Sequence, residues 1–263
     1  YLAHLKPTRI HDVDYVWGKA DSTHGMLWVV GRDPDLFDYF MPERWRRTPS
    51  KRLSSTNETY YTLTKDRINL VWKFSRVGEP PSRNAAIPRS GERPALGFNS
   101  PFEEVAVALD LQRKGVDTTY PRAIYMSGLE STRSGLYASD DRRYRSHQEL
   151  TTPDGQPVLR SDHNYLTIWG FWNGLDEILA GKDEAYCQGV NLHEARQNGI
   201  INAREAKQLL EREQRQLAAA GYRDLLPKPT HYLLSLRHSG SLVLNKDGKP
   251  AVRVCSFALI QKR

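Results

Sequence analysis

The sequence contains few cysteines and no long apolar run. Its 263 residues include only two cysteines, Cys187 and Cys255, which excludes a disulfide framework and is typical of the cytoplasm or another reducing compartment. No run of about eighteen apolar residues occurs, so we expect no membrane span. The eight histidines are scattered and zinc-finger spacing is absent, so we expect no metal cluster of Cys and His.

Acidic residues are outnumbered by basic ones, and the net charge is +7. This balance permits contact with nucleotide phosphates, nucleic acid or an acidic protein. The basic residues are spread along the chain and are dense only at residues 44–52 and 142–145. RNA-binding aromatic motifs are absent. A basic module that binds nucleic acid or an acidic surface through these two clusters remains one interpretation.

Hydrophobic residues make up 39% of the chain, enough for a core within one large domain or two lobes. Residues 67–77 have the pattern of a strand that carries a single lysine, Lys73, among apolar neighbours. Residues 58–64 also have strand composition, and the short turn between the two segments predicts an antiparallel hairpin. If Lys73 points into a cleft, it requires an anionic partner.

A helix with a clear start follows about thirty residues after this strand. Ser100 is placed as its N-cap, Pro101 suits the first helical position, and Glu103 completes a capping box. Gly115 can end the helix. Because Glu103 is engaged by the cap, Glu104 remains free for another role.

The rest of the chain predicts further strands and one long helix. Residues 129–162 are polar and are interpreted as an insertion, with a separate hairpin as one interpretation of its structure. The other predicted elements are strands at residues 25–31, 121–126, 164–170, 232–236 and 251–259, the beginning of a helix at residues 175–179, and a long helix from Asn202 to Gly221.

This order of elements resembles the protein-kinase-like fold. The resemblance implies an α+β protein in which a mostly antiparallel N-lobe sheet with one key helix precedes a partial helical C-lobe. It divides the chain into an N-terminal extension at residues 1–52, an N-lobe at residues 53–170 that contains the insertion, and a partial C-lobe at residues 171–263. The last segment ends with a degenerate metal-binding strand.

By this resemblance, Lys73 is the strand lysine that contacts nucleotide phosphates, and Glu104 is its partner on the helix. We therefore predict an ion pair between the Lys73 ammonium and Glu104. The alternative is a surface lysine and a solvated glutamate.

The resemblance also implies a phosphate-binding turn and an adenine-binding strand end. The turn lacks the glycines that let a backbone approach phosphate closely, so an ordinary polar turn is an equal interpretation. The strand end is equally well explained as a buried strand and its turn. The implied nucleotide-binding residues are Ser54, Ser55 and Thr56 in the turn, and Trp169, Gly170 and Phe171 at the strand end.

The catalytic motifs of the resemblance are degenerate. Asp224 fills the catalytic position only if two residues are inserted, whereas a gap-free alignment places Leu226 there. His231 and Ser256 occupy the two metal-binding positions, and neither side chain is a carboxylate. Mg²⁺ prefers hard, anionic oxygen ligands. The resemblance therefore implies ATP as a ligand, but argues against Mg²⁺.

We therefore interpret the chain as a pseudokinase, a nucleotide-binding or protein-interaction scaffold with an unidentified protein partner. The alternative within the same fold is an active, atypical ATP-dependent phosphotransferase that uses Lys73, Glu104 and Asp224. The basic binding module described above is the alternative of another class.

Overall fold

The computed structural model describes residues 4–54, 58–80, 96–128, 139–170 and 188–263. These residues form a mixed α+β protein with a large antiparallel sheet and few helices, which confirms the predicted class at this coarser level. Among the described residues, no helix is both long and apolar enough to cross a membrane. The predicted helix start at residues 175–179 lies outside the described residues.

Eight strands form the large sheet. They are β1 (Lys6–Ile10), β2 (Val13–Ala20), β3 (Gly25–Val30), β4 (Ser50–Arg52), β5 (Thr59–Leu63), β6 (Asn69–Phe74), β7 (Tyr120–Met126) and β8 (Tyr165–Gly170). Their order is β1-β2-β3-β7-β8-β6-β5-β4, and every neighbouring pair is antiparallel. The predicted hairpin is confirmed as β5 and β6.

The remaining described elements are shorter strands and helices. The strands are β9 (Gln188–Asn191), β10 (Tyr222–Asp224), β11 (Tyr232–Leu236), β12 (Val252–Val254) and β13 (Ile260–Lys262). The helices are α1 (Pro42–Trp45), α2 (Pro101–Arg113), α3 (Arg142–Ser146), α4 (Leu192–Gln197) and α5 (Ala203–Ala219), with 3-10 helices at Pro34–Phe40 and Pro229–His231.

The N-terminal residues extend the sheet. Strands β1, β2 and β3 hydrogen-bond in succession and join the rest of the sheet through β7. Of these three strands, only β3 is predicted by the sequence. The turn from β1 to β2 consists of His11 and Asp12, both with positive φ, where glycine or asparagine would have been the usual signal.

Both faces of the sheet are covered. On one face, Phe102 and Val105 of α2 pack among apolar side chains that include Trp28 of β3. On the other face, the 3-10 helix Pro34–Phe40 and α1 supply Phe37, Phe40 and Trp45. Strand β6 alternates between the two faces, since Leu70 and Trp72 pack on this second face and Val71 packs with Trp169 in a different apolar cluster.

A further apolar cluster joins α2 to the C-terminal part of the chain. Ala108 and Leu111 of α2 pack there with Trp169 of β8, Leu217 of α5 and Phe257. The predicted long helix is confirmed as α5, and Asn202 is its N-cap in a complete capping box. The predicted strand at residues 251–259 is shorter than expected: β12 ends at Val254, and the chain then turns toward Lys73.

Candidate functional site

The site is built around Lys73, which lies in β6 opposite Thr167 of β8. Its side chain is half-buried, and its Nζ donates a hydrogen bond to the carbonyl oxygen of Cys255 at 2.9 Å. The ammonium also lies 4.7 Å from the ring centroid of Trp169 and 5.8 Å from that of Phe257. The Lys73 ammonium thus contacts one backbone carbonyl oxygen and lies near the faces of two aromatic rings.

The two aromatic rings are fixed in place. Trp169 and Phe257 stack with their centroids 5.0 Å apart and their planes inclined by 14°. The Trp169 indole Nε1 donates to Thr167 Oγ1 at 2.8 Å, which sets the orientation of its ring. An ammonium over an aromatic face gains about 0.5–2 kcal/mol, depending on its desolvation. The stack therefore stabilises a positive charge at this position.

Glu104 occupies the first turn of α2, and its side chain is buried. The predicted capping box is confirmed: Glu103 N donates to Ser100 Oγ at 3.1 Å, and Ser100 N donates to Glu103 Oε2 at 2.8 Å. The Glu104 carboxyl takes no part in this cap. Burial raises the pKa of Glu104 to about 7, and the charge of Lys73 acts in the opposite direction.

The predicted ion pair between Lys73 and Glu104 is not formed. Within the described residues, neither an ion pair nor a hydrogen bond joins them, because Lys73 Nζ is directed to Cys255. The two groups still interact through space, since Lys73 is the largest charge contribution that opposes the raised pKa of Glu104. The structure therefore brings them into one region without direct contact.

The predicted nucleotide-binding turn and strand end are only partly described. Ser54 follows β4, is half-buried, and its carbonyl accepts a hydrogen bond from Arg52 Nε at 2.8 Å. Gly170 is the buried last residue of β8 and lies opposite Tyr120. The predicted residues that lie outside the described ranges are Ser55, Thr56 and Phe171.

Asp224 is buried at the end of β10, and both of its carboxylate oxygens are engaged. Its Oδ1 accepts from Leu226 N at 3.0 Å, and its Oδ2 accepts from the Tyr232 hydroxyl at 2.7 Å. The His231 Nδ1 lies 3.9 Å from the same Oδ2. These contacts stabilise the loop between β10 and β11. Each carboxylate oxygen of Asp224 already accepts a hydrogen bond from a neighbouring residue.

The two degenerate metal positions lie on neighbouring segments. Cys255 N donates a hydrogen bond to the His231 carbonyl oxygen at 2.9 Å, and Ser256 is the next residue along the chain. Asp224 is the carboxylate in contact with His231. Neither position itself supplies an anionic oxygen, and a serine hydroxyl is a weak ligand for Mg²⁺.

Comparison with known proteins found no matching family model, no matching curated protein and no matching solved structure. What this site can do chemically therefore follows from its own residues. An ammonium has three N–H donors, and Cys255 accepts one of them from Lys73. The remaining two donors of this half-buried side chain are suited to an anionic ligand.

The ring of Trp169 and the carbonyl of Cys255 were not predicted as contacts of Lys73. The sequence interpretation assigned Trp169 only a backbone role at the strand end. Its side chain instead shares the face of the sheet that carries Lys73, because Thr167 lies opposite Lys73 and Trp169 lies two residues further along β8. The two-residue alternation along paired strands is the signal that would have found it.

Proposed function

We propose that the chain is a kinase-like protein that binds a nucleotide and does not transfer its phosphate. The observation that carries this proposal is the meeting of three distant segments at Lys73. Strand β6 supplies the lysine, the first turn of α2 supplies the buried Glu104, and residues 255–257 lie against the ammonium. In a kinase-like site, the lysine, the helix glutamate and the segment of the metal-binding motif are the parts that surround the nucleotide phosphates.

The chemistry of Lys73 supports phosphate as the anion that it binds. Its free N–H donors can make charge-assisted hydrogen bonds, which are roughly twice as strong as bonds between neutral groups. Glu104 interacts with Lys73 through space without occupying its donors. A phosphate would thus add to the Cys255 contact rather than compete with a carboxylate for the same donors.

Two features argue against phosphate transfer: the residues at the metal-binding positions and the hydrogen bonds that engage Asp224. Phosphoryl transfer depends on positioning and on neutralising charge, largely through Mg²⁺ held by anionic oxygens. Here His231 and Ser256 stand at those positions, and both oxygens of Asp224 accept hydrogen bonds from their own loop. We therefore infer that nucleotide binding does not depend on Mg²⁺ and that the protein acts by presenting a surface to a protein partner.

At residues 142–145, the nucleic-acid alternative is weakened by the pairing of the basic residues, whereas Arg46, Arg47 and Lys51 of the other cluster are exposed. Arg143 is only 5% exposed and lies 2.6 Å from Glu103, so its charge is not presented to solvent. Among the described residues, ion pairs in the two clusters include Arg142–Asp140 at 2.7 Å, Arg145–Asp141 at 3.0 Å and Arg44–Asp66 at 3.3 Å.

Thermal unfolding with ATP tests the proposal. A ligand that binds only the native state stabilises it by about 2.7 kcal/mol at a hundredfold excess over Kd. We expect ATP to raise the unfolding temperature equally in EDTA and in Mg²⁺. Phosphoryl transfer that Asp224→Asn abolishes would favour the phosphotransferase. Absence of any ATP shift, together with salt-dependent binding of nucleic acid, would favour the basic module.

A further inference from the structure

A second cluster of polar side chains lies at the N-terminal end of α2. His11 is in the turn between β1 and β2, Glu103 is in the first turn of α2, and His147 directly follows α3. The Nε2 atoms of the two histidines are 3.1 Å apart, and His147 Nε2 lies 3.9 Å from Glu103 Oε2. One ligand atom from each of the three side chains lies within 4.8 Å of the others.

A hydrogen bond between the two imidazoles accounts for only one of the contacts of His147 Nε2. His147 Nε2 has one in-plane position, which either donates or accepts. It has three polar neighbours, however, because Ser100 Oγ lies 2.8 Å away, in addition to His11 Nε2 and Glu103. A cation between these groups would satisfy several of them together, since each of the three side chains can direct a lone pair toward it.

We propose that His11, Glu103 and His147 bind a zinc ion. Zinc–nitrogen distances of about 2.0–2.1 Å in a tetrahedral site place two histidine nitrogens about 3.3 Å apart. The observed 3.1 Å separation of the Nε2 atoms is close to this value. Two imidazoles with one carboxylate suit Zn²⁺, whereas Mg²⁺ and Ca²⁺ prefer sites made of oxygen ligands. The fourth position would be taken by water or by Ser100 Oγ.

The surroundings orient the three side chains for this role. His147 Nδ1 contacts Ser146 Oγ at 2.9 Å, which leaves its Nε2 directed at the cluster. Arg143 Nη1 donates to Glu103 Oε1 at 2.6 Å, so the other carboxylate oxygen faces the histidines. Such outer contacts typically fix the orientation of metal ligands. The nearby Arg143 charge opposes cation binding, and its ion pair with Glu103 offsets part of that charge.

The site is accessible from solvent. His147 is buried, whereas His11 is exposed at the tip of its turn. A groove of about 480 Å³ is lined by His11, Glu103 and Arg143, together with residues of α2 and β13. A zinc ion there would tie the β1–β2 turn to α2 and α3. This inference does not depend on nucleotide binding at Lys73, because its three ligand residues are not those that contact Lys73.

The test is a calorimetric titration of Zn²⁺ into the EDTA-treated protein, with His11→Asn as the ligand variant and His24→Asn as the control. Both histidines are exposed and stand in β-hairpin turns, with φ of 49° and 56°, a conformation that asparagine tolerates. We expect one Zn²⁺ per chain in the wild type and in His24→Asn. In His11→Asn, we expect the affinity to fall by at least about tenfold.

Thermal unfolding gives a second readout for the same proteins. Zn²⁺ should raise the unfolding temperature of the wild type and of His24→Asn, and should have little effect on His11→Asn. An equal concentration of Mg²⁺ should stabilise none of them through this site. The proposal is overturned if the wild type does not bind Zn²⁺, or if His11→Asn and His24→Asn bind it with the same affinity.

Discussion

The ammonium of Lys73 lies 2.9 Å from the carbonyl oxygen of Cys255, which is 182 residues later in the chain. This single hydrogen bond connects the central region of the eight-stranded sheet to the segment that follows β12. It also explains why Lys73 does not pair directly with Glu104. The lysine is held on one side of the site, and its remaining donors are available for an anion.

Replacement of Phe257 by alanine should cost about 3–5 kcal/mol of unfolding free energy. Phe257 is completely buried and stacks on Trp169, so its removal leaves a cavity beneath the Lys73 ammonium. Urea unfolding measures the loss. Leu244→Ala is the control, because Leu244 is 53% exposed and its change should stay within about 0.5 kcal/mol. Equal effects of the two changes would contradict the packing described for the stack.

The two capping boxes provide a matched pair of helix variants. Ser100→Ala and Asn202→Ala should each cost about 0.5–2 kcal/mol, because each removes the side-chain acceptor for the third residue of its helix. Ser100 is fully buried and also contacts His147, whereas Asn202 is exposed. We therefore expect the larger loss from Ser100→Ala in chemical denaturation. A larger loss from Asn202→Ala would show that the buried network around Ser100 contributes little.

Glu213 should make stability depend on pH. Burial raises the pKa of Glu213, and the neighbouring Arg212 acts against that shift. The folded state therefore holds the proton more tightly than the unfolded state. The contribution of Glu213 to the unfolding free energy is greatest below the pKa of an unfolded glutamate, about 4.3, and falls as pH rises through the raised pKa of the folded state.

Glu213→Gln should remove this part of the pH dependence. The unfolding free energy of the variant relative to the wild type should increase as pH rises from about 4 to 7, as measured by urea unfolding at several pH values. Glu211→Gln, an exposed position on the same helix, should give a profile parallel to that of the wild type. Parallel profiles for Glu213→Gln and the wild type would show that Glu213 does not titrate differently in the folded state.

Local patterns in the sequence predicted much of the fold. The capping boxes at Ser100 and Asn202 depend on residues three apart, and the β5–β6 hairpin depends on two adjacent strand segments. The start of the sheet was harder to predict, because the His11–Asp12 turn adopts positive φ without glycine. Propensity alone gives no signal for such a turn.

The candidate site could be predicted only in part, because its contacts are distant in sequence. The lysine strand and the free glutamate were found from alternation and from the cap. The carbonyl of Cys255 carries no sequence signal, since every residue has one, and its position depends on where the chain leaves β12. The approach of His11 to His147 across 136 residues is of the same kind, because the positions of the histidines along the sequence give no signal for it.

Direct titration with a fluorescent ATP analogue is the most direct test of nucleotide binding at Lys73. It should be made in EDTA and in Mg²⁺ on the wild type, Lys73→Met and Lys207→Met, the last being an exposed lysine of α5. We predict the same affinity in both solutions for the wild type and Lys207→Met, and a loss of at least about tenfold, or about 1.4 kcal/mol, for Lys73→Met. Binding that requires Mg²⁺, or that Lys73→Met leaves unchanged, would contradict the proposal.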